Sequence, residues 1–228
     1  MTPYTLAQFS EDVVKPVNAT EVVAICRRIE MDAALVGWSA NIEERVRAGG
    51  VYWDLACAVR QVAEGLQPRN YLEIGVRLGS STAMVAATAP AVDIAAFDLW
   101  ISPYAGLDNP GPDHVRRQLA RIGHRGELKF FDGDSRMTVP RYREENPQVQ
   151  FDMVTVDGDH SDEGAWSDLT NVAGIVAPGG YLFFDDLTHP YHTLMPIWQR
   201  FQTTYEDDFD FVENLNDHYG TGVARRKE

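Results

Sequence analysis

Phe151-Asp152-Met153-Val154-Thr155-Val156-Asp157-Gly158-Asp159-His160 is an apolar run that stops abruptly at carboxylates, and Gly180-Tyr181-Leu182-Phe183-Phe184-Asp185-Asp186 repeats the pattern. Runs of this kind read as buried strands whose last residues reach a site at the strand end. Between them, residues 163–176 read as a helix and Ala177-Pro178-Gly179-Gly180 as its stop, so the unit is a strand, a helix and a parallel strand with a right-handed crossover. Neighbouring strands lie about 4.8 Å apart, which brings Asp157 together with Asp185 and Asp186. Carboxylates crowd there only if a cation neutralises them or their pKa values rise. A hard divalent ion such as Mg²⁺ is the simpler expectation.

The alternation continues on both sides. Strands are expected at 71–75, 91–98, 127–131, 209–213 and 219–225, with helices at 80–88, 114–122 and 193–204. This pattern predicts a doubly wound α/β fold with a seven-stranded, mostly parallel sheet. The connection 214–217 leaves no room for a crossover helix, so the last strand is antiparallel. Residues 68–228 make the sheet domain, and residues 1–67 form an N-terminal helical extension. In the extension, Val22, Ile25, Cys26 and Ile29 share one helix face, with Asn18 or Thr20 as candidate caps. A second helix is expected over 51–66, its stripe of Trp53, Leu55, Ala56, Val59 and Val62 packing on the sheet. Residues 38–47 suit a lid or a subunit contact, which leaves a homo-oligomer open. The irregular connection 101–113 overhangs the same sheet edge as the carboxylates, where long loops are usually functional.

The 228 residues suffice for one large domain with a substantial core. A formal net charge of −14 argues against a nucleic-acid or anionic-membrane partner and favours a small-molecule substrate. Cys26 and Cys57 offer neither a disulfide framework nor a thiolate cluster. No apolar run approaches a bilayer span and no signal peptide is evident, so the expected location is cytoplasmic.

Glu73-Ile74-Gly75-Val76-Arg77-Leu78-Gly79-Ser80-Ser81 turns from strand to helix. Gly75 permits a tight turn, Gly79 permits close approach to a ligand, and Ser80 or Ser81 can cap the helix. The spacing departs from the dinucleotide-binding glycine pattern, because Val76-Arg77-Leu78 occupies the place of the glycine that admits a pyrophosphate. Asp98 ends the second strand, where a carboxylate commonly holds ribose hydroxyls.

Glu73-Ile74-Gly75, Gly79, Asp98 and the antiparallel final strands resemble the class I S-adenosylmethionine-dependent methyltransferases, over about residues 68 to 226. Val156-Asp157-Gly158-Asp159-His160-Ser161, Pro178-Gly179-Gly180 and Phe184-Asp185-Asp186 resemble more narrowly the macrocin and mycinamicin type of metal-dependent sugar O-methyltransferase. The spacing of Asp157 and Asp185 is also similar to that in catechol and caffeoyl-CoA O-methyltransferases. The resemblance implies S-adenosylmethionine and a divalent cation, Mg²⁺ or another, as cofactors, with Asp157, Asp185 and Asp186 as metal ligands. It implies that Glu73 lies near the methionine amino end, Gly75 along the cofactor and Asp98 on the ribose, with Asp134 and Ser135 at the adenine side. Leu99 and Trp100 suit the adenine face, although Trp100 reads equally well as a core or lid aromatic. His160 is expected to take the acceptor proton, its unperturbed pKa of about 6.5 being matched to that task. Asp159 is the competing base. His189 and His192 follow the aspartate pair closely enough to line the acceptor pocket, but read more readily as ordinary loop histidines. The expected activity is methylation of a hydroxyl on a small molecule, a sugar or natural-product glycoside before a catechol. A non-catalytic cofactor-fold binding protein is the alternative.

Overall fold

The computed structural model describes residues 3–103 and 109–228. Among them, seven strands form one sheet: β1 (Asn70–Ile74), β2 (Asp93–Asp98), β3 (Leu128–Asp132), β4 (Phe151–Val156), β5 (Val176–Phe184), β6 (Phe209–Asn214) and β7 (Thr221–Arg226). Their order is β3-β2-β1-β4-β5-β7-β6, with β7 antiparallel to both its neighbours and the other pairings parallel. The expected architecture is therefore present. The strand order reverses between β1 and β4, and open sheets of this kind bind ligands at that switch point.

Helices cover both faces. On one side lie α1 (Leu6–Val13), α2 (Pro16–Cys26), α3 (Ala33–Arg47), α4 (Leu55–Leu66), α5 (Ser80–Thr88) and α6 (Pro112–Ile122). On the other lie α7 (Ser135–Glu145), α8 (Asp162–Ala173) and α9 (Met195–Thr204). Successive strand residues point to opposite faces, so Tyr71, Met153, Tyr181 and Phe183 enter the first core and Leu72, Val154, Leu182 and Phe184 the second. The expected stripe on α4 is buried in the first core with Phe9 and Val22, so the N-terminal helices share a core with the sheet.

Several boundaries differ from the sequence expectation for physical reasons. Helix α2 starts at Pro16 without a side-chain cap. Asn18 is instead buried, donating to the carbonyls of Val13 and Cys57, and the Thr20 hydroxyl donates back to Pro16. Helix α8 ends at Ala173, and Ala177 to Gly180 lie within β5 rather than before it. The β4 ladder shifts there, from Phe151 opposite Val176 to Met153 opposite Tyr181. Such an irregularity accommodates Pro178, which has no ladder donor. Helices α1 and α7 were not anticipated. In α7 only Val139 is buried and Pro140 lies inside the helix, so its sequence shows little helical periodicity. Residues 104–108 of the expected 101–113 loop lie outside the described residues.

Candidate active site

Register builds the site. Ile74 pairs with Phe97 and Val156, and Val156 pairs with Phe184. The next residues along the chains, Asp98, Gly75, Asp157 and Asp185, therefore stand in a row at the carboxyl edge of the sheet. Gly75 is required there. It has φ +87°, and an added Cβ would lie 1.8 Å from the Asp157 carbonyl oxygen. Above the row is a cleft of about 1070 Å³. Its lining includes Gly75, Ser80, Asp98, Leu99, Asp134, Ser135, Asp157, Asp159, His160, Asp185 and Asp186, so most of the predicted residues converge on one cavity.

On the cofactor side, Asp98 accepts the backbone N–H of Arg77 at 2.8 Å and that of Trp100 at 2.6 Å. Its carboxylate is thus aimed while retaining free lone pairs for a ligand. Gly79 has φ +74° and caps α5, which has no side-chain cap, so neither Ser80 nor Ser81 plays the expected capping role. A Cβ on Gly79 would come 3.0 Å from Val115, so its close neighbour is α6 rather than the cleft. Asp134 caps α7 and is forked onto the Arg136 guanidinium, while Ser135 begins that helix at the cleft wall. Leu99 is half exposed into the cleft. Trp100 turns the other way, edge-on to Phe130 with its indole N–H on Asp132.

Glu73 departs most from its expected place. It is fully buried and does not line the cleft; its carboxylate accepts the hydroxyls of Tyr71, Ser81 and Thr82. Burial drives its pKa up to about 7, against the hydrogen bonds that favour the charged form. The residue supports the glycine turn from beneath.

At the other end, carboxylates and imidazoles crowd together. Burial raises Asp157 well above the usual carboxylate range, with Asp186 adding to the effect, although the Asp157 side chain keeps 30 % exposure. Asp185 is raised in the same way by burial and by Asp157 and Asp186, and it accepts the Thr221 hydroxyl at 2.7 Å. Asp186 adopts φ +62°, a conformation uncommon for a non-glycine residue. The Nε2 atom of His160 stands 3.5 Å from Asp186 and 3.6 Å from Asp157, and His192 Nε2 stands 3.4 Å from Asp186. His160 and His192 stack at 4.4 Å, and His189 stacks on His192 at 3.7 Å. Asp159 is turned toward α8, accepting the Ser161 N–H at 2.8 Å with its other oxygen packed against Gly164.

The expected ligand trio is not a compact group by itself. Among the described residues, the donor sets within 4.8 Å of one another are His160, Asp186 and His192, and Asp185, Asp186 and His218. Asp157 belongs to neither. His218 was missed because it arrives on a loop remote from β4; His189 and His192, whose place soon after Asp185 and Asp186 pointed to the acceptor pocket, line the cleft despite the preferred reading as ordinary loop histidines. Among the described residues, no helix is long and apolar enough to cross a membrane.

A parallel sheet of this order, with its glycine turn, strand-end aspartates and cleft at the switch point, defines the class I methyltransferase fold. A family model described as a methyltransferase domain matches residues 72–187, and the chain belongs to that family. By that family it is a methyltransferase. Among solved structures, it is similar to the O-methyltransferase TomG from Streptomyces achromogenes, involved in tomaymycin synthesis and solved with S-adenosylmethionine. The identity is 20%, the match covers 88% of this chain and 92% of that one, and the TM-score is 0.60. It is also similar to CalS11, a TDP-rhamnose 3'-O-methyltransferase of calicheamicin biosynthesis (21% identity, 92% and 93% covered, TM-score 0.57). An O-methyltransferase from Bacillus cereus solved with S-adenosylhomocysteine matches at 16% identity, 93% and 92% covered, TM-score 0.57. At these identities the likeness is one of fold. No curated protein sequence matches.

Proposed function

We propose that the protein methylates a hydroxyl oxygen of a small molecule, a glycoside before a catechol, with His160 as the base. The observation that carries this reading is the meeting of two half-sites in one cleft: the cofactor-side row around Gly75 and Asp98, and the cluster of His160 with Asp157 and Asp186. Asp98 would hold the ribose of S-adenosylmethionine, Leu99 and Ser135 its adenine, and the first-turn N–H groups of α5, which have no side-chain cap, its carboxylate.

Transfer is an in-line displacement. The acceptor oxygen forms a bond to the methyl carbon, the bond from carbon to sulfonium breaks, and S-adenosylhomocysteine leaves uncharged. The hydroxyl proton must go elsewhere, and an alcohol gives it up poorly at neutral pH. His160 is placed to receive it, lining the cleft with its Nε2 3.6 Å from Asp157 and 3.5 Å from Asp186. Asp159 suits the task less, being engaged at the start of α8.

The donor chemistry fits a divalent cation, since the burial and mutual repulsion that raise Asp157 and Asp185 are relieved by positive charge. Asp185, Asp186 and His218 would hold it, with Thr221 orienting Asp185 and with Asp157 as the adjoining charge. When bound, such an ion supplies Lewis-acid stabilisation of the acceptor alkoxide. The test is a screen of hydroxyl acceptors with labelled S-adenosylmethionine, run with Mg²⁺ and after exhaustive chelation. Label transfer to no oxygen acceptor, by a protein that binds S-adenosylhomocysteine, overturns the reading.

A further inference from the structure

The charges around the acceptor half of the cleft restrict what can enter it. The cationic side chains lining the cleft, among the described residues, are Arg77 and Arg136 apart from the histidines. Each is neutralised by a carboxylate. Arg77 is bonded to Asp32 at 2.5 Å, and Arg136 grips Asp134 with Nε and Nη2. Near the mouth, Arg45 is held by Asp217 at 2.5 Å. The intervening sequence Tyr104-Ala105-Gly106-Leu107-Asp108 contributes no cation.

Helix N-termini are the other common way to bind a phosphate. Here three of them are already occupied by the chain's own groups. Asp32 caps α3 and accepts the Leu35 N–H, and Asp54 caps α4 and accepts that of Cys57. Helix α8 is capped by Ser161 and carries Asp162 and Glu163 in its first turn. A carboxylate at a helix start satisfies the amides and cancels the positive end of the dipole. Helices α6 and α9 also lack a side-chain cap, but each has a proline without an N–H in its first turn, and α6 carries Asp113 there as well; the start of α5 faces the cofactor half.

The same region offers apolar surface. Ile101 is 52% exposed and Tyr191 is 91% exposed, and both line the cleft with Tyr219 and Trp38. The Trp38 ring is fixed by its indole N–H, which donates to Asp54 at 2.7 Å. His189 meets the Tyr219 ring edge-on at 4.3 Å. Aromatic faces of this kind take flat or apolar bodies, and they favour cations over anions.

We propose that the methyl acceptor carries no phosphate and no net negative charge, and that its apolar or aromatic body lies against Trp38, Tyr191 and Tyr219. Nucleoside-diphosphate sugars and coenzyme A thioesters are thereby excluded as acceptors. The inference rests on the hydroxyl-methylation reading for the term acceptor, but its test reads binding rather than turnover.

The full chain, saturated with S-adenosylhomocysteine, is titrated calorimetrically with four probes: 4-methylcatechol, phenyl β-glucoside, thymidine diphosphate and coenzyme A. At least one uncharged probe is expected to bind at least about tenfold more tightly than either phosphate-bearing one. Trp38→Ala and Tyr191→Ala are each expected to weaken that binding by about tenfold with S-adenosylhomocysteine affinity unchanged. Thymidine diphosphate or coenzyme A binding as tightly as the uncharged probes overturns the proposal, as does failure of both uncharged probes to bind. Methyl transfer is measured separately, so a protein that prefers uncharged probes but methylates no hydroxyl refutes the functional reading while leaving the charge preference standing.

Discussion

Nε2 of His160 stands 3.5 Å from Oδ2 of Asp186, although one residue follows β4 and the other follows β5. The parallel pairing of these strands creates the contact, and it sets the imidazole proposed as the base beside the carboxylate cluster. His160→Ala is expected to lower turnover by roughly 10² to 10⁴ while leaving S-adenosylhomocysteine affinity unchanged in calorimetry. Asp159→Ala should cost less. Wild-type turnover in the His160 variant, together with an inactive Asp159 variant, would transfer the role of base to Asp159.

Asp98 makes a separate prediction on the cofactor side. A carboxylate accepting ribose hydroxyls contributes on the order of 1.5 to 3 kcal/mol, so Asp98→Ala should weaken S-adenosylmethionine binding roughly ten- to a hundredfold. Part of that loss reflects the Arg77 and Trp100 amides that Asp98 also holds. Asp98→Asn keeps one acceptor oxygen and should fall between wild type and alanine. Equal affinity in all three folded proteins removes Asp98 from the site.

For the metal reading, the measurement is binding of Mn²⁺, followed by its paramagnetic signal. Asp185→Asn and His218→Ala should each weaken it, with S-adenosylhomocysteine binding intact. Because burial and repulsion raise Asp157 and Asp185, protons compete for the same charge and Mn²⁺ affinity should increase with pH. Undiminished methyl transfer after chelation would end the metal mechanism.

Much of this arrangement was legible in the sequence because two buried strands announce themselves. Val154 to Val156 and Leu182 to Phe184 are buried on both faces, and the carboxylates that end them must lie where the sheet meets solvent. The glycine turn was legible for a similar reason, since Gly75 occupies a conformation and a space that a side chain cannot. What stayed hidden depends on contacts far apart in sequence. His192 and His218 reach Asp186 through loop geometry, which no periodicity encodes. Helix α7 buries Val139 alone and carries Pro140, so neither pattern nor propensity marked it. Glu73 was misread because acidity suggested a ligand contact, whereas Tyr71, two residues earlier on the same strand face, signalled a buried hydroxyl partner.

Glu73 carries the last prediction, on stability. Its folded pKa of about 7 lies above the ordinary 4.5, because burial penalises the charged form. Between these values the native protein keeps a proton that the unfolded chain has released, so unfolding free energy falls as pH rises through the window. Above about pH 7 the native state bears the full buried charge, a cost of about 3 kcal/mol at the usual conversion of pKa difference to energy. Asp168, fully buried and pushed up to about 6 by burial, acts in the same direction. The protein should therefore be more resistant to urea at pH 5 than at pH 8 when chelator is present. Glu73→Gln cannot titrate and supplies one acceptor oxygen to the hydroxyls of Tyr71, Ser81 and Thr82, so its stability at pH 5 should drop. Its difference in unfolding free energy between pH 5 and pH 8 should shrink by up to about 3 kcal/mol. Urea denaturation of both proteins at the two pH values measures this directly. A difference that survives the substitution unchanged would mean that Glu73 is ionised throughout, and would place the pH dependence on Asp168 and the strand-end aspartates.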